Sequence, residues 1–147
     1  MSLLHASGNT AFDNAWAGES VVHDSDYTQQ VFNFRLDHAD EEGWLGKVQF
    51  GRSLDNSETF ADGVSDGKFD TTRFQINGQL DWPTGEQHLL TVGSDYSNDI
   101  VDSSVTYNID ERSNLALFLQ WQGAHVAHNF VAGTRIDDNE QFGTHTT

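Results

Sequence analysis

Apolar and polar side chains alternate along most of this chain. The clearest run is 74–82. Phe74, Ile76, Gly78, Leu80 and Trp82 fall on one set of positions, and Arg73, Gln75, Asn77, Gln79 and Asp81 on the other. A helix would scatter both sets around its axis, whereas a strand puts them on opposite faces. The pattern recurs. Phe32, Phe34 and Leu36 oppose Gln29, Asn33 and Arg35; Trp44, Val48 and Phe50 oppose Lys47, Gln49 and Ser53. Leu90, Val92 and Tyr96 oppose Thr91 and Asp95, with Leu89 blurring the series. Leu115, Leu117, Leu119 and Trp121 alternate with Ala116, Phe118 and Gln120; Val126, Phe130, Ala132 and Ile136 alternate with His125, Asn129 and Arg135. Period two predicts an all-β fold, an antiparallel meander of about six strands. They lie near 27–36, 43–54, 69–82, 87–97, 113–122 and 125–136, with no helix between them. Residues 1–25 read as an irregular N-terminal segment with a possible short strand at 20–23, and 26–147 as the sheet.

The connections add a second pattern. Those at 37–43, 83–86 and 122–124 are short, and Pro83-Thr84-Gly85 and Gln122-Gly123 carry tight-turn chemistry. Those at 55–68 and 98–112 are long, polar and rich in Asp, Ser and Asn. In a meander all the short turns then fall at one end and the long loops at the other, as in outer-membrane barrels. Trp44, Trp82 and Trp121 each stand where a strand meets a short turn, which makes an aromatic row at that end. Large aromatics also pack strand ends in any sheet. The loop asymmetry favours the membrane-interface reading.

Composition narrows the classes. The 147 residues fit one domain, with 7 Lys plus Arg against 23 Asp plus Glu and a net charge of −16. No run is long and apolar enough for a membrane helix. Disulfides and thiolate metal sites need Cys, and there is none. So few basic residues make no phosphate-binding face, so no nucleic-acid partner is expected. Phe 10, Trp 4 and Tyr 3 argue against disorder. The acid itself reads as a well-hydrated surface.

The most specific motif is Arg135-Ile136-Asp137-Asp138-Asn139-Glu140-Gln141-Phe142-Gly143. It resembles the basic-x-Asp-Asp-Asn-x-x-Phe-Gly run that ends a barrel strand in TonB-dependent outer-membrane receptors, and within that family its cobalamin (vitamin B12) receptors. The run 112–122 resembles the preceding strand, and 27–36, 44–53 and 69–82 fall in register with consecutive barrel strands, so the likeness covers about 25–147. It implies a bacterial outer-membrane location and energy-coupled uptake of cobalamin or a similar ligand. A plug domain and TonB would be partners of the full-length protein. Such a receptor has an N-terminal plug and a barrel of about 22 strands. Neither a plug nor a closing C-terminal aromatic residue is seen here. The expectation is therefore an internal barrel segment, inactive alone, that self-associates through open sheet edges. Arg73, Gln75, Asn77, Gln79, Arg35 and Lys47 would line the lumen. Phe74, Ile76, Leu80, Val48, Phe50, Leu117 and Leu119 would meet lipid.

Catalytic and metal chemistry find little support. Asp95, Asp99, Asp102, Asp110 and Glu111 cluster around one long loop and Asp62, Asp66 and Asp70 around another. Carboxylates can hold calcium, but no EF-hand loop is present, and Asp62-Gly63-Val64-Ser65-Asp66-Gly67 is a loose echo. His125 and His128, three apart, would point to opposite faces of a strand; His5, His23, His38, His88 and His145 are scattered. Asp137 and Asp138 are adjacent and face apart. No nucleophile elbow or phosphate-cradling loop occurs. No enzyme activity, cofactor, catalytic residue or metal ligand is expected. Two other readings remain: a soluble all-β ligand- or partner-binding module with an acidic, salt-adapted surface, and a small self-closed barrel. The latter needs eight strands, with 20–23 and 101–107 among them.

Overall fold

The computed structural model describes residues 1–12, 21–41 and 43–147. It is all-β, a single antiparallel sheet of eight strands in chain order. They are β1 (Ser2–Phe12), β2 (His23–Ala39), β3 (Leu45–Ala61), β4 (Val64–Gly85), β5 (His88–Ser103), β6 (Glu111–His125), β7 (His128–Asn139) and β8 (Gly143–Thr146). Each strand pairs only with its sequence neighbours, so β1 and β8 stand at opposite edges of an open sheet. The fold class is the one the alternation predicts, as a meander that can form part of a barrel wall.

Two strands exceed the six expected. β1 lies within the segment expected to be irregular, and β8 follows the 135–143 motif. Residues 13–20 lie outside the described residues, so the proposed strand at 20–23 is described only from residue 21; strand begins at His23, as the start of β2. The eight strands are also not those a self-closed barrel called for. Val101 to Ser103 merely end β5, and 104–110 is a loop.

The largest correction concerns the long loops. Residues 55–68 are mostly strand: β3 runs to Ala61 and β4 starts at Val64, joined by Asp62-Gly63 with φ of 49° and 76°. That pair is a tight hairpin turn of left-handed residues. Polar composition suggested a loop, but cross-strand pairing continues through it, including Asn56↔Asp70 and Glu58↔Lys68. The asymmetry of the two ends therefore survives as strand overhang. Beyond Phe74, β4 continues to Val64; beyond Trp82 it stops at Gly85.

Two turns also shift. The turn expected at 83–86 falls after Gly85, and Pro83 sits at a register shift, where a missing N–H is tolerated. The turn expected at 122–124 falls at Val126-Ala127, because Gly123 is a strand residue paired with His88 and Phe130. His125 and His128 flank that turn and pair directly, so they share a face. The single-strand reading, which sent them apart, is overturned by the turn between them.

The described residues form no second layer. The only fully buried apolar side chain among the described residues is Ala116, while Leu117 next to it is 57% exposed. A sheet normally buries one face against another element. Here no other element of the described residues covers either face.

Candidate functional site: two unlike faces of one sheet

Register assigns every strand residue to a face. Arg35, Gln49, Asn77 and Asp95 lie in one cross-strand row, Lys47 and Gln79 in the next, and Gln75 opposes Gly51. Arg73 opposes Ser53 and Asp99. The six residues expected to line a lumen thus share one polar face. Phe50 opposes Ile76, Val48 opposes Gly78, Leu80 opposes Val92, Val92 in turn opposes Leu119, and Leu117 opposes Ile136. The seven expected to meet lipid share the other.

The polar face is laced by ion pairs spanning several strands. Arg135 on β7 donates from Nη1 to Asp95 on β5 at 2.7 Å and from Nε to Asp137 at 2.9 Å. It thereby crosses β6, where Ala116 stands in register between the two carboxylates. A side chain larger than alanine would occupy the guanidinium's path. Phe118 is the next residue of β6 on this face; the guanidinium carbon lies 5.9 Å from its ring centroid. The ring in turn covers Gly93, where a Cβ would overlap it and come within 2.6 Å of the Gly78 carbonyl oxygen.

Further along, Asp99 accepts from both Arg73, at 2.9 Å from Nη2, and Arg112, at 3.0 Å. Lys47 pairs with Asp81, whose other oxygen accepts from Gln79 at 2.7 Å and Thr91 at 2.8 Å. Arg35 binds Asp37 through two nitrogens. These pairs are partly solvated, so each contributes modestly to stability. Those that cross strands, Arg135–Asp95, Arg73–Asp99, Arg112–Asp99 and Lys47–Asp81, favour one register.

The acids expected in loops are therefore mostly strand residues with partners. Asp95 and Asp99 belong to the polar face. Asp102 and Asp70 hold Lys68 on the other face, above the apolar band, at 2.7 Å and 3.0 Å. Those two contacts, Asp102 first, raise the Lys68 pKa above its ordinary value. Asp62 accepts from the Val22 N–H, and Glu111 from Asn98. Asp137 and Asp138 do face apart: Asp138 accepts from Thr144 instead of joining Arg135. The 135–143 motif ends β7 with a turn in which Asn139 Oδ1 accepts the N–H groups of Gln141 and Phe142, both at 3.1 Å. Among the described residues, no group of three or more His, Asp and Glu is placed to hold a metal ion.

On the apolar face Trp82, Leu90 and Trp121 form a level row, and Trp44 immediately precedes the Leu45↔Asp81 pair at the same end of the sheet. His38 meets Trp44 and His88 stacks on Trp121, with ring centroids 5.5 Å apart in each pair. A second aromatic series was not anticipated. Phe32, Phe50, Phe74 and Tyr96 touch in turn across β2 to β5, at centroid distances of 5.9, 4.9 and 6.4 Å. The series zigzags between two adjacent rows, Phe32 and Phe74 level with Arg52 and Phe50 and Tyr96 level with Ile76, an arrangement that no single strand's pattern reveals. On β3 to β5 the face between these aromatics is Val, Leu, Ile, Gly and Ser; beyond them comes a row of Leu54, Thr72 and Ile100, and then Asp70, Lys68 and Asp102.

No family model, curated protein or solved structure matches this chain.

Proposed function

We propose that this chain is part of the barrel wall of a TonB-dependent outer-membrane receptor, serving energy-coupled uptake of cobalamin or a similar ligand. One observation carries the membrane part of the reading: an uncovered apolar sheet face, bounded by aromatics and then by charge, opposite a polar face held by ion pairs. Lipid satisfies the first face, and a hydrated lumen the second. A strand segment of roughly 9–11 residues spans the hydrocarbon at a tilt, and Phe74 to Trp82 with its flanks is of that order. The receptor assignment adds the 135–143 motif, which ends one strand and starts the next as it does in that family. The polar face would look onto a plug, and the overhanging hairpins would stand outside the membrane. The open edges call for further strands, from more of the same wall or from other copies.

The test is withdrawal of detergent. The lipid-facing reading expects assembly or precipitation, and insertion when liposomes are supplied. A folded, dilutable monomer in plain buffer would support the soluble acidic module instead. Titration calorimetry with cobalamin should show no tight binding to this chain alone; tight binding would refute its inactivity in isolation.

A further inference from the structure

Six of the seven cations are paired with carboxylates: Arg35, Lys47, Lys68, Arg73, Arg112 and Arg135. Arg52 is the exception among the described residues. It is exposed and stands on the apolar face, in register between Phe32 and Phe74 at the upper aromatics. In a chain of −16 an unpaired guanidinium is costly to overlook, because acid is abundant. This one stands where apolar surface gives way to polar, and its donors meet no protein acceptor among the described residues.

Below it lies a dent of about 630 Å³ in the same face, with Gly46, Gly78 and Ser94 at its base and Leu36, Leu80 and Leu117 among its walls. The two glycines are not demanded by the backbone. A Cβ at Gly78 would meet nothing nearer than Ser94 Oγ at 3.6 Å, and one at Gly46 nothing nearer than the Trp44 ring at 3.5 Å. Neither has positive φ. Mid-strand glycine costs roughly 0.5–1 kcal/mol against alanine, so what these positions gain is open space. Gly78 pairs with Val48, four residues along β3 from Arg52, about 13 Å at the usual rise.

We propose that Arg52 and this dent form one site for a phosphate-headed membrane lipid. The guanidinium takes the phosphate, whose planar bidentate recognition suits it, and the dent takes part of a hydrocarbon chain. The proposal rests on the lipid-facing reading above. Charge complementarity selects an anionic headgroup, and the position of Arg52 at the polar edge of an apolar band selects a lipid over a free anion.

Trp44 beside Gly46 is a built-in reporter. The full chain would be reconstituted in phosphatidylcholine vesicles doped with phosphatidic acid or with further phosphatidylcholine, each dopant carrying brominated acyl chains. Trp44→Phe identifies the Trp44 share of the quenching. The expected result is half-maximal quenching of Trp44 at about fivefold less brominated phosphatidic acid than brominated phosphatidylcholine. Arg52→Gln should erase that preference while leaving basal quenching, Arg52→Lys should keep part of it, and Gly78→Leu should weaken quenching by both lipids with the circular dichroism unchanged. Equal quenching by the two lipids, or a preference that survives Arg52→Gln, overturns the site while leaving the lipid-facing reading intact. Loss of the preference on adding inorganic phosphate also overturns it, in favour of a free-anion site. Absence of quenching by either lipid overturns both readings.

Discussion

Arg135 and Asp95, forty positions apart in sequence, meet at 2.7 Å across an intervening strand. The contact is possible because Ala116 lies between Asp95 and Asp137 and leaves the guanidinium a path. Arg135→Met should therefore strand two carboxylates on one patch of the polar face. With both partners about a third exposed, the expected loss is about 1–2 kcal/mol, read as a lower urea midpoint in detergent. Ala116→Leu should reproduce much of that loss without touching a charge. Equal midpoints for wild type and both variants would refute the bridge.

Gly93 and Gly78 make opposed predictions from neighbouring strands. Gly93→Ala forces a Cβ into the Phe118 ring and the Gly78 carbonyl, so it should destabilise by about 1–3 kcal/mol. Phe118→Ala in the same chain should rescue little, since the carbonyl contact is backbone. Gly78→Ala meets only Ser94 at van der Waals distance, and should be neutral or slightly stabilising. Unfolding curves of the three variants decide the matter.

The two faces should respond oppositely to charge. Leu117→Arg places a cation in the middle of the apolar face, and insertion into liposomes should become less favourable by about 2–4 kcal/mol. Gln75→Arg, on the polar face, should change it little. Similar effects at the two positions would contradict the assignment of faces.

Lys68 supplies a pH test outside the apolar band. Asp102 and Asp70 raise its pKa from the ordinary 10.5. A raised value in the folded state means that the stabilising contribution is fully present below pH 10.5 and fades as pH climbs through the raised value. Nitrogen NMR of the Lys68 ammonium should show it still protonated at pH 10.5, and Asp102→Asn should bring the titration downward.

Asn9 ties the edge strand to its neighbour. Its Nδ2 donates to Asp24 and Asp26, both at 2.8 Å, and so screens two carboxylates that point to the same face of β2. Asn9→Ala should leave them repelling beneath β1. Faster amide exchange is expected along Ser2–Phe12, with β4 and β5 unaffected; unchanged protection in β1 would show that the side chain contributes nothing.

The sequence by itself determined six of the strands and most of their faces. Period two is a local property, and the alternations from Phe32 to Trp121 lie on the faces they forecast; the run 125–136 fails at its start, where Val126 stands in a turn and His125 shares the face of Phe130. The Trp row was legible for the same reason, because each Trp occupies an alternating position beside a break in the pattern. Strand ends were less legible. Polar strand extensions at 55–61 and 64–68 look like loop when read alone, and only pairing with a neighbour satisfies their backbone groups as sheet. Turn position failed at Gly123 for a related cause: glycine signals a turn or a close approach, and here His88 and Trp121 crowd against it. The cross-strand ion pairs and the zigzag of Phe32, Phe50, Phe74 and Tyr96 depend on register, which fixes who stands beside whom across strands. Tertiary structure alone decided these, because cross-strand distance is set by hydrogen-bonded pairing and not by separation along the chain.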